Sequence, residues 1–296
     1  MLVSIALCVK NSGATIRKAV RSVANQDMPH ELLEAIAVDD GCSDNTILIM
    51  IEELKKTKVP LRILQTGGAG LGKARQMAMD NAKGKYIIWV DGDMELSKDY
   101  VRTQVEFMER NPKVAKARGK WMLLENGGLA AQLENMRASE HKPTQTTAKS
   151  DVSKLVGIGG SICRLNALRQ VGGFDTNITG AGEDIDLAAK LMKAGWALDA
   201  SGGEFFHKTK ETWRDLWRQY LWYGYGSHFV NHKYNGFFPT WVKTPPAALY
   251  QGLTHANIAY KATHRKISFL LPFQYCFKNM AWLLGFVSAH LDRYQP

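Results

Sequence analysis

An α/β fold on an open, mainly parallel sheet is the architecture this sequence predicts, and three observations predict it. Short apolar runs alternate with helical patterns four times within about 110 residues. The fourth run, Tyr86 to Val90, is apolar throughout, as a parallel strand covered on both faces requires. Acidic residues stand directly after the second and fourth runs, at the strand ends where such sheets bind their ligands.

Leu2 to Cys8 reads as the first buried strand. A helix follows, with Ile16, Ala19, Val20 and Val23 on one face. Ala35 to Val38 is the second strand and ends in Asp39-Asp40-Gly41. Ser43 offers an N-cap for the next helix, whose apolar face carries Leu48, Ile51 and Leu54. Leu61 to Leu64 is the third strand. The stretch from Gly67 to Gly72 then precedes a helix that stops near Gly84. After Tyr86–Val90, Ser97 can cap a helix that Asn111-Pro112 can end. Right-handed crossovers put helices on both faces, so Asp40 and Asp91 are expected to share one cleft. Lys116 to Gly173 is less regular. Within it, Lys142 to Ser153 is polar and threonine-rich and reads as a loop. Glu183 to Gly195 is a further helix.

The chain has 296 residues, 45% of them hydrophobic and 22% charged, which excludes disordered and fibrous classes. The net charge of +10 is unevenly spread. His207 to Pro296 holds 11 Lys and Arg against 3 Asp and Glu, and 20 of the 29 aromatic residues. Residues 1–206 are nearly neutral, so the boundary between a main domain and a C-terminal region is placed at 206/207. A basic, aromatic tail suits an anionic partner, a membrane face or nucleic acid; a surplus of solvated lysines is the plainer reading. Cys8, Cys42, Cys163 and Cys276 form no CxxC pair and read as reduced thiols of a cytosolic protein. Leu2 to Val9 is too short an apolar run for a signal peptide.

Asp91-Gly92-Asp93 sets two carboxylates around a glycine directly after a buried strand. Glycine lets the backbone turn so that both acids point into the cleft. Hard oxygen ligands there suit Mg²⁺ or Mn²⁺ bridging to a diphosphate. In Gly182-Glu183-Asp184-Ile185-Asp186 the acids stand at a helix start. They serve either as N-terminal charges that favour the helix dipole or, for one of them, as a general base on an acceptor hydroxyl. Asp39-Asp40 can accept hydrogen bonds from a base or ribose, or simply close a turn. The glycine stretch matches neither the dinucleotide fingerprint nor the P-loop. Lys73 and Arg75 behind it can meet phosphate or base. His207 is either a further metal or phosphate ligand or a structural histidine.

Taken in order, these motifs resemble the family 2 glycosyltransferases, which are inverting enzymes of the GT-A fold. The matching residues are Asn11, Val38 to Asp44, Gly70 to Arg75, Gly84 to Asp93, Gly159 to Ser161, Val171 to Asp175 and Gly182 to Leu187. The resemblance covers roughly residues 1–230 and implies a GT-A nucleotide-binding sheet; with the boundary at 206/207, residues 1–206 are the expected catalytic domain and 207–296 a helical region whose composition suggests membrane association. It places Asn11, Asp40, Arg75 and Asp91 on the nucleotide-sugar donor. It makes Asp93 and His207 ligands of Mg²⁺ or Mn²⁺ and Asp184 the general base. Gly160, Glu183, Arg218 and Trp222 fall on the acceptor side. The element Trp217 to Trp222 loosely resembles the Gln-x-x-Arg-Trp signature of processive relatives, with a different order of residues. Cys8-Val9-Lys10-Asn11 departs from the family's usual first-strand ending.

Ile267 to His290 is the most apolar stretch, but Pro272, Gln274, Lys278 and Asn279 interrupt it. A helix or helix pair lying in a membrane interface fits that pattern; a buried core helix and a membrane span are the other readings. No nucleic-acid motif accompanies the basic charge, so nucleic acid is not an expected partner. The expected function is a metal-dependent inverting sugar transfer to a hydroxyl of a lipid-linked or glycan acceptor at the cytoplasmic face of a membrane, by a peripheral or monotopic protein. A polyprenyl-phosphate glycosyl synthase, a sugar nucleotidyltransferase and a non-catalytic glycan-binding module are the alternatives.

Overall fold

The computed structural model describes residues 1–122, 127–139, 156–235 and 240–296. The polar stretch Lys142 to Ser153 lies outside the described residues. The described parts of Met1–Met122, Gln145–Thr179 and Glu183–His207 make one compact unit. Those of Leu123–Thr144, Gly180–Gly182 and Lys208–Pro296 make a second.

The first unit holds an eight-stranded sheet. Strands β1 (Val3–Val9), β2 (Leu33–Asp39), β3 (Leu61–Gln65) and β4 (Tyr86–Trp89) are parallel and lie side by side in the order β3-β2-β1-β4. The order then runs on through β7 (Ser161–Arg164), β6 (Val114–Met122), β8 (Ala197–His207) and β5 (Met94–Leu96). This half makes the sheet mixed, with β5 and β7 running against the other six strands. β7 is antiparallel to both β4 and β6, and β5 is antiparallel to β8, while β6 and β8 are parallel. Apolar patterning marks a strand without giving its direction, which depends on how the connection returns. The link from β4 to β5 spans only residues 90–93, far short of the dozen or so that a parallel crossover needs.

Both faces of the sheet are covered, which explains the unbroken apolar runs. On β1, Val3, Ile5 and Leu7 pack with Ile16, Val20 and Val23 of α1 (Ile16–Ala24), with Met50 of α2 (Thr46–Leu54), and with Val101 of α4 (Tyr100–Arg110). Ala6 faces the other way. It packs with Ala74 and Ala78 of α3 (Leu71–Asn81) and Leu187 and Leu191 of α7 (Glu183–Lys193). The same alternation divides Tyr86 and Ile88 from Ile87 and Trp89 on β4, as the two-residue period of a strand dictates. Ser43 does not cap α2. The helix starts at Thr46, whose N–H donates to the Asp44 carboxylate at 3.0 Å. Helix α6 (Leu165–Gln170) follows β7 directly.

The second unit is helical: α5 (Leu129–Ser139), α8 (Trp213–Lys233), α9 (Pro245–Thr263) and α10 (Leu271–Leu291). Here the reading of Ile267 to His290 needs a correction. Pro272, Gln274, Lys278 and Asn279 do not break the run, because α10 is one continuous helix with Pro272 in its first turn, where a missing N–H costs nothing. Gln274, Lys278 and Asn279 are all buried. The Lys278 ammonium pairs with Glu134 of α5 and lies 4.7 and 5.1 Å from the ring centres of Tyr275 and Tyr220. Gln274 donates to the Ala130 carbonyl at 3.1 Å. The inward face of α10 thus mixes these polar groups with Leu271, Tyr275, Ala281 and Trp282, while Phe273, Met280, Leu284, Val287 and Leu291 are exposed. Among the described residues no helix is long and apolar enough to cross a membrane.

Removing one partner of a buried ion pair strands the other charge, at a cost of about 3–5 kcal/mol. Lys278→Ala should lower the urea midpoint of the intact protein by that equivalent, and Lys278→Met with Glu134→Leu should recover most of the loss. Equal midpoints for the wild type and Lys278→Ala would show that the pair contributes nothing.

Candidate active site

The first-unit residues that the motifs single out come from the carboxyl ends of the parallel strands and the loops that follow. Asn11 stands two residues after β1 with a left-handed backbone, φ 49°, a conformation that asparagine tolerates. Its side-chain oxygen accepts from the Ser43 N–H at 2.8 Å and the Ser43 hydroxyl at 3.2 Å. That ties the end of β1 to the loop after β2. In the same loop Asp44 accepts from the Gly13 N–H at 2.9 Å. The Thr46 hydroxyl first, and then the Gly13 and Thr46 N–H groups, donate to this carboxylate and lower its pKa.

Asp40 is buried just past β2. Its carboxylate accepts from the Thr66 hydroxyl and, at 3.0 Å, from the Gly70 N–H. It thereby holds the glycine loop at the start of α3. Gly70 has φ +97°, and a Cβ there would come within 3.0 Å of the Thr179 carbonyl oxygen, so no other residue fits this turn without strain. Thr66 was not evident from motif reading. Its signal is positional: the pairing of Asp39 with Gln65 sets Thr66 opposite Asp40.

Fixed in this way, α3 delivers Arg75. Its buried guanidinium pairs with Glu183 at the start of α7 and donates to Asp91, just past β4, at 3.3 Å. Burial pushes the Glu183 carboxyl up to about 7, with Arg75 pulling against the rise and Asp184 adding to it. Glu183 Oε2 is buried with no hydrogen-bond partner among the described residues. Cys8, on β1 between the acidic strand ends, lies in the same field. Burial pushes its thiol up to about 12, with Arg75 opposing and Asp91, Asp40 and Glu183 reinforcing the rise.

The acids at the start of α7 divide their tasks. Glu183 is buried against Arg75. Asp186 is buried and pairs with Lys190, one turn on, at 2.9 Å. Asp184 alone of the three is partly exposed, with one carboxylate oxygen accepting from the Ile185 N–H at 2.8 Å. Of the three, it is the one accessible to an incoming group.

Asp93 and His207 meet although 114 residues apart, with Nε2 to Oδ1 at 3.0 Å and both side chains about a quarter exposed. The antiparallel register of β5 with β8 pairs Met94 with His207 and so places them together. The Trp121 ring flanks His207 at 5.7 Å between centres. One carboxylate oxygen and one imidazole nitrogen, reachable from solvent, form a donor set that fits Mg²⁺ or Mn²⁺. Gly92 between the two acids does not use a left-handed backbone. It is needed for close approach, since a Cβ there would lie 2.7 Å from the Ser12 hydroxyl oxygen.

Gly160 is buried and structural. It has φ +65°, a Cβ there would strike the Phe205 ring at 2.5 Å, and its carbonyl accepts from the Tyr100 hydroxyl at 2.7 Å. Lys73 is exposed on α3. Arg218 and Trp222 lie one turn apart on the exposed face of α8, in the second unit.

Comparison with known proteins places this geometry. The family model for "Glycosyl transferase family 2" matches residues 4–137, and that for "Glycosyl transferase family group 2" matches residues 86–291. The chain is 29% identical over 111 residues to the poly(ribitol-phosphate) beta-N-acetylglucosaminyltransferase TarS of Staphylococcus aureus, covering 38% of this chain and 19% of that protein. It is 29% identical over 204 residues to the beta-monoglucosyldiacylglycerol synthase of Trichormus variabilis, covering 67% of this chain and 42% of that protein. The chain thus spans well under half the length of these curated relatives. Among solved structures, a mannosyltransferase of Pyrobaculum calidifontis in complex with GDP-Man and Mn²⁺ superposes with a TM-score of 0.64 at 17% identity, over 98% of this chain and 87% of that one. Residues 1–349 of S. aureus TarS superpose with a TM-score of 0.58 at 16% identity, over 99% of this chain and 92% of that one. These two likenesses establish the fold, a mixed α/β sheet of the GT-A type. On its family matches, the chain belongs to the family 2 glycosyltransferases.

Proposed function

We propose that the protein is a metal-dependent inverting glycosyltransferase that moves a sugar from a nucleotide-sugar donor to a hydroxyl of a membrane-associated, lipid-linked acceptor. The observation that carries this reading is the division of labour at the start of α7. Glu183 is committed to a buried ion pair with Arg75, while its neighbour Asp184 remains accessible. Asp184 takes the proton as the acceptor oxygen attacks the anomeric carbon. The new C–O bond forms on the face opposite the breaking bond to phosphate, and the nucleoside diphosphate leaves with that electron pair. Arg75 holds Asp91, which contacts the nucleoside, and Asp40 and Asn11 hold the loops that frame the base. Asp93 and His207 are the residues that would hold Mg²⁺ or Mn²⁺, which when bound neutralises charge on the departing diphosphate. A donor of this class is what the GDP-Man complex of the structural neighbour contains. A phosphate acceptor is already ionised and needs no base, so an accessible Asp184 favours a hydroxyl.

The membrane side of the reading rests on the second unit. Phe273, Met280, Leu284, Val287 and Leu291 are spaced to form one exposed apolar stripe along α10. Lys261, Arg265 and Lys266 are exposed at the turn between α9 and α10. An apolar stripe beside basic residues is the composition of a helix that lies in an anionic membrane interface. A relative named for a glucosylated diacylglycerol accords with an acceptor held there.

Three outcomes are expected. Asp184→Asn should lower transfer by roughly 10²–10⁴-fold and leave donor affinity intact by titration calorimetry; near-wild-type turnover would overturn the assignment. Asp93→Ala should abolish the gain in nucleotide affinity that Mn²⁺ gives the wild type, so an unchanged Mn²⁺-dependent gain in the variant would refute the metal role. The wild type should float with anionic liposomes at low salt, and Leu284→Ser with Val287→Ser should reduce that binding. Failure of the wild type to float would defeat the membrane reading and leave the sugar-transfer reading standing.

A further inference from the structure

Three histidines of the second unit, none of them among the expected site residues, converge. His228 and His232 are one turn apart on α8, and His290 is in the last turn of α10. Two glycines bring the helices close. A Cβ at Gly224 would lie 1.9 Å from the Trp282 carbonyl oxygen, and one at Gly285 would lie 2.0 Å from that of Leu221. The backbones therefore touch, and the histidines that follow these glycines face one another.

The ring nitrogens are arranged in an unusual way. His228 Nδ1 is 2.7 Å from the Tyr294 carbonyl oxygen. A carbonyl only accepts, so Nδ1 carries the proton. In the neutral ring Nε2 is then a bare lone pair. That nitrogen lies 3.1 Å from His232 Nε2 and 3.3 Å from His290 Nδ1. One in-plane lone pair can accept only one good hydrogen bond, yet two imidazole nitrogens crowd it. The ligand atoms of all three residues lie within 4.8 Å of one another. Tetrahedral zinc, with nitrogen ligands at about 2.0–2.1 Å, sets neighbouring nitrogens about 3.3 Å apart, close to the two distances seen. The Tyr294 carbonyl supplies the outer contact that orients a metal-bound imidazole. The Phe286 ring packs edge-on to His228 at 4.9 Å. His228 is buried, whereas His232 and His290 are exposed and leave the ion a way in.

We propose that His228, His232 and His290 form a zinc site that clips the C-terminal turn of α10 to α8. Three imidazoles are a donor set for Zn²⁺ rather than for the oxygen-seeking Mg²⁺ or Mn²⁺, so the site is distinct in chemistry from the Asp93–His207 pair. Three protein ligands also leave a fourth position for water. The ion would tie the last turn of α10 to α8.

The test uses the full chain without a histidine tag, stripped with a chelator and titrated with Zn²⁺ by calorimetry. The Asp93→Ala background removes the other candidate metal site. One Zn²⁺ per chain is expected there, with a raised Tm. His232→Ala with His290→Ala should weaken binding at least 100-fold and abolish the Tm shift. Co²⁺ in place of zinc should give the visible absorption of a tetrahedral ion, lost in the same variant. His232→Gln alone, at an exposed position, should still weaken binding at least 10-fold, which keeps the test decisive if the double variant fails to fold. Absence of Zn²⁺ binding in the Asp93→Ala protein, or binding unaffected by the histidine substitutions, would overturn the proposal.

Discussion

A buried guanidinium between two carboxylates is the constraint on which the candidate site turns. Arg75 meets Glu183 from α7 and Asp91 from the end of β4, and Asp184 adds a further negative charge beside them. Carboxylates gathered near one another out of water repel, and each resists ionisation there. The positive charge of Arg75 offsets that cost and binds a strand end to a helix start. Its position depends in turn on Asp40, which fixes the glycine loop from which α3 springs. The chain of dependence runs from Asp40 through Gly70 and Arg75 to Glu183 and Asp91.

That arrangement explains why two adjacent acids of one motif are not interchangeable. Glu183 has lost its solvent and gained Arg75, whereas Asp184 keeps access to solvent. The first is tied into the ion pair with Arg75, and the second is left accessible, which is what the role of base proposed for it needs. In the second unit Lys278 pairs with Glu134 and Gln274 donates to the Ala130 carbonyl inside, while Phe273, Met280, Leu284, Val287 and Leu291 of α10 are exposed.

Much of the first unit was legible in the sequence because its signals are local. Apolar runs of strand length, the acids after them and the helical patterns between them fixed β1 to β4 and the helices α1 to α4 to within a few residues. The family motifs also put Asp40, Arg75 and Asp91 at strand ends or helix starts, where they are found. The direction of β7 and the place of β5 beside β8 were not legible, because strand direction follows from the return path of the chain. Ser43 does not cap α2, because the loop after β2, held by Asn11 and Gly13, runs on to Asn45 before the helix starts and leaves Asp44 to take the Thr46 N–H. Lys278 looked like an interruption because sequence reports polarity and not partners; Glu134, 144 residues away, is what makes it a core residue.

The sequence by itself determined the alternating α/β pattern, the order of the motifs, the basic and aromatic bias of the last 90 residues, and hence the family. Each of these is a property of near neighbours or of composition. Only the tertiary structure decided which of Glu183 and Asp184 is sequestered, that Asp93 and His207 meet across 114 residues, that Gly160 is a packing position, and that three histidines from two helices converge. Those outcomes depend on contacts between distant segments. Such contacts are set by strand register and by helix approach at glycine, which no local pattern encodes.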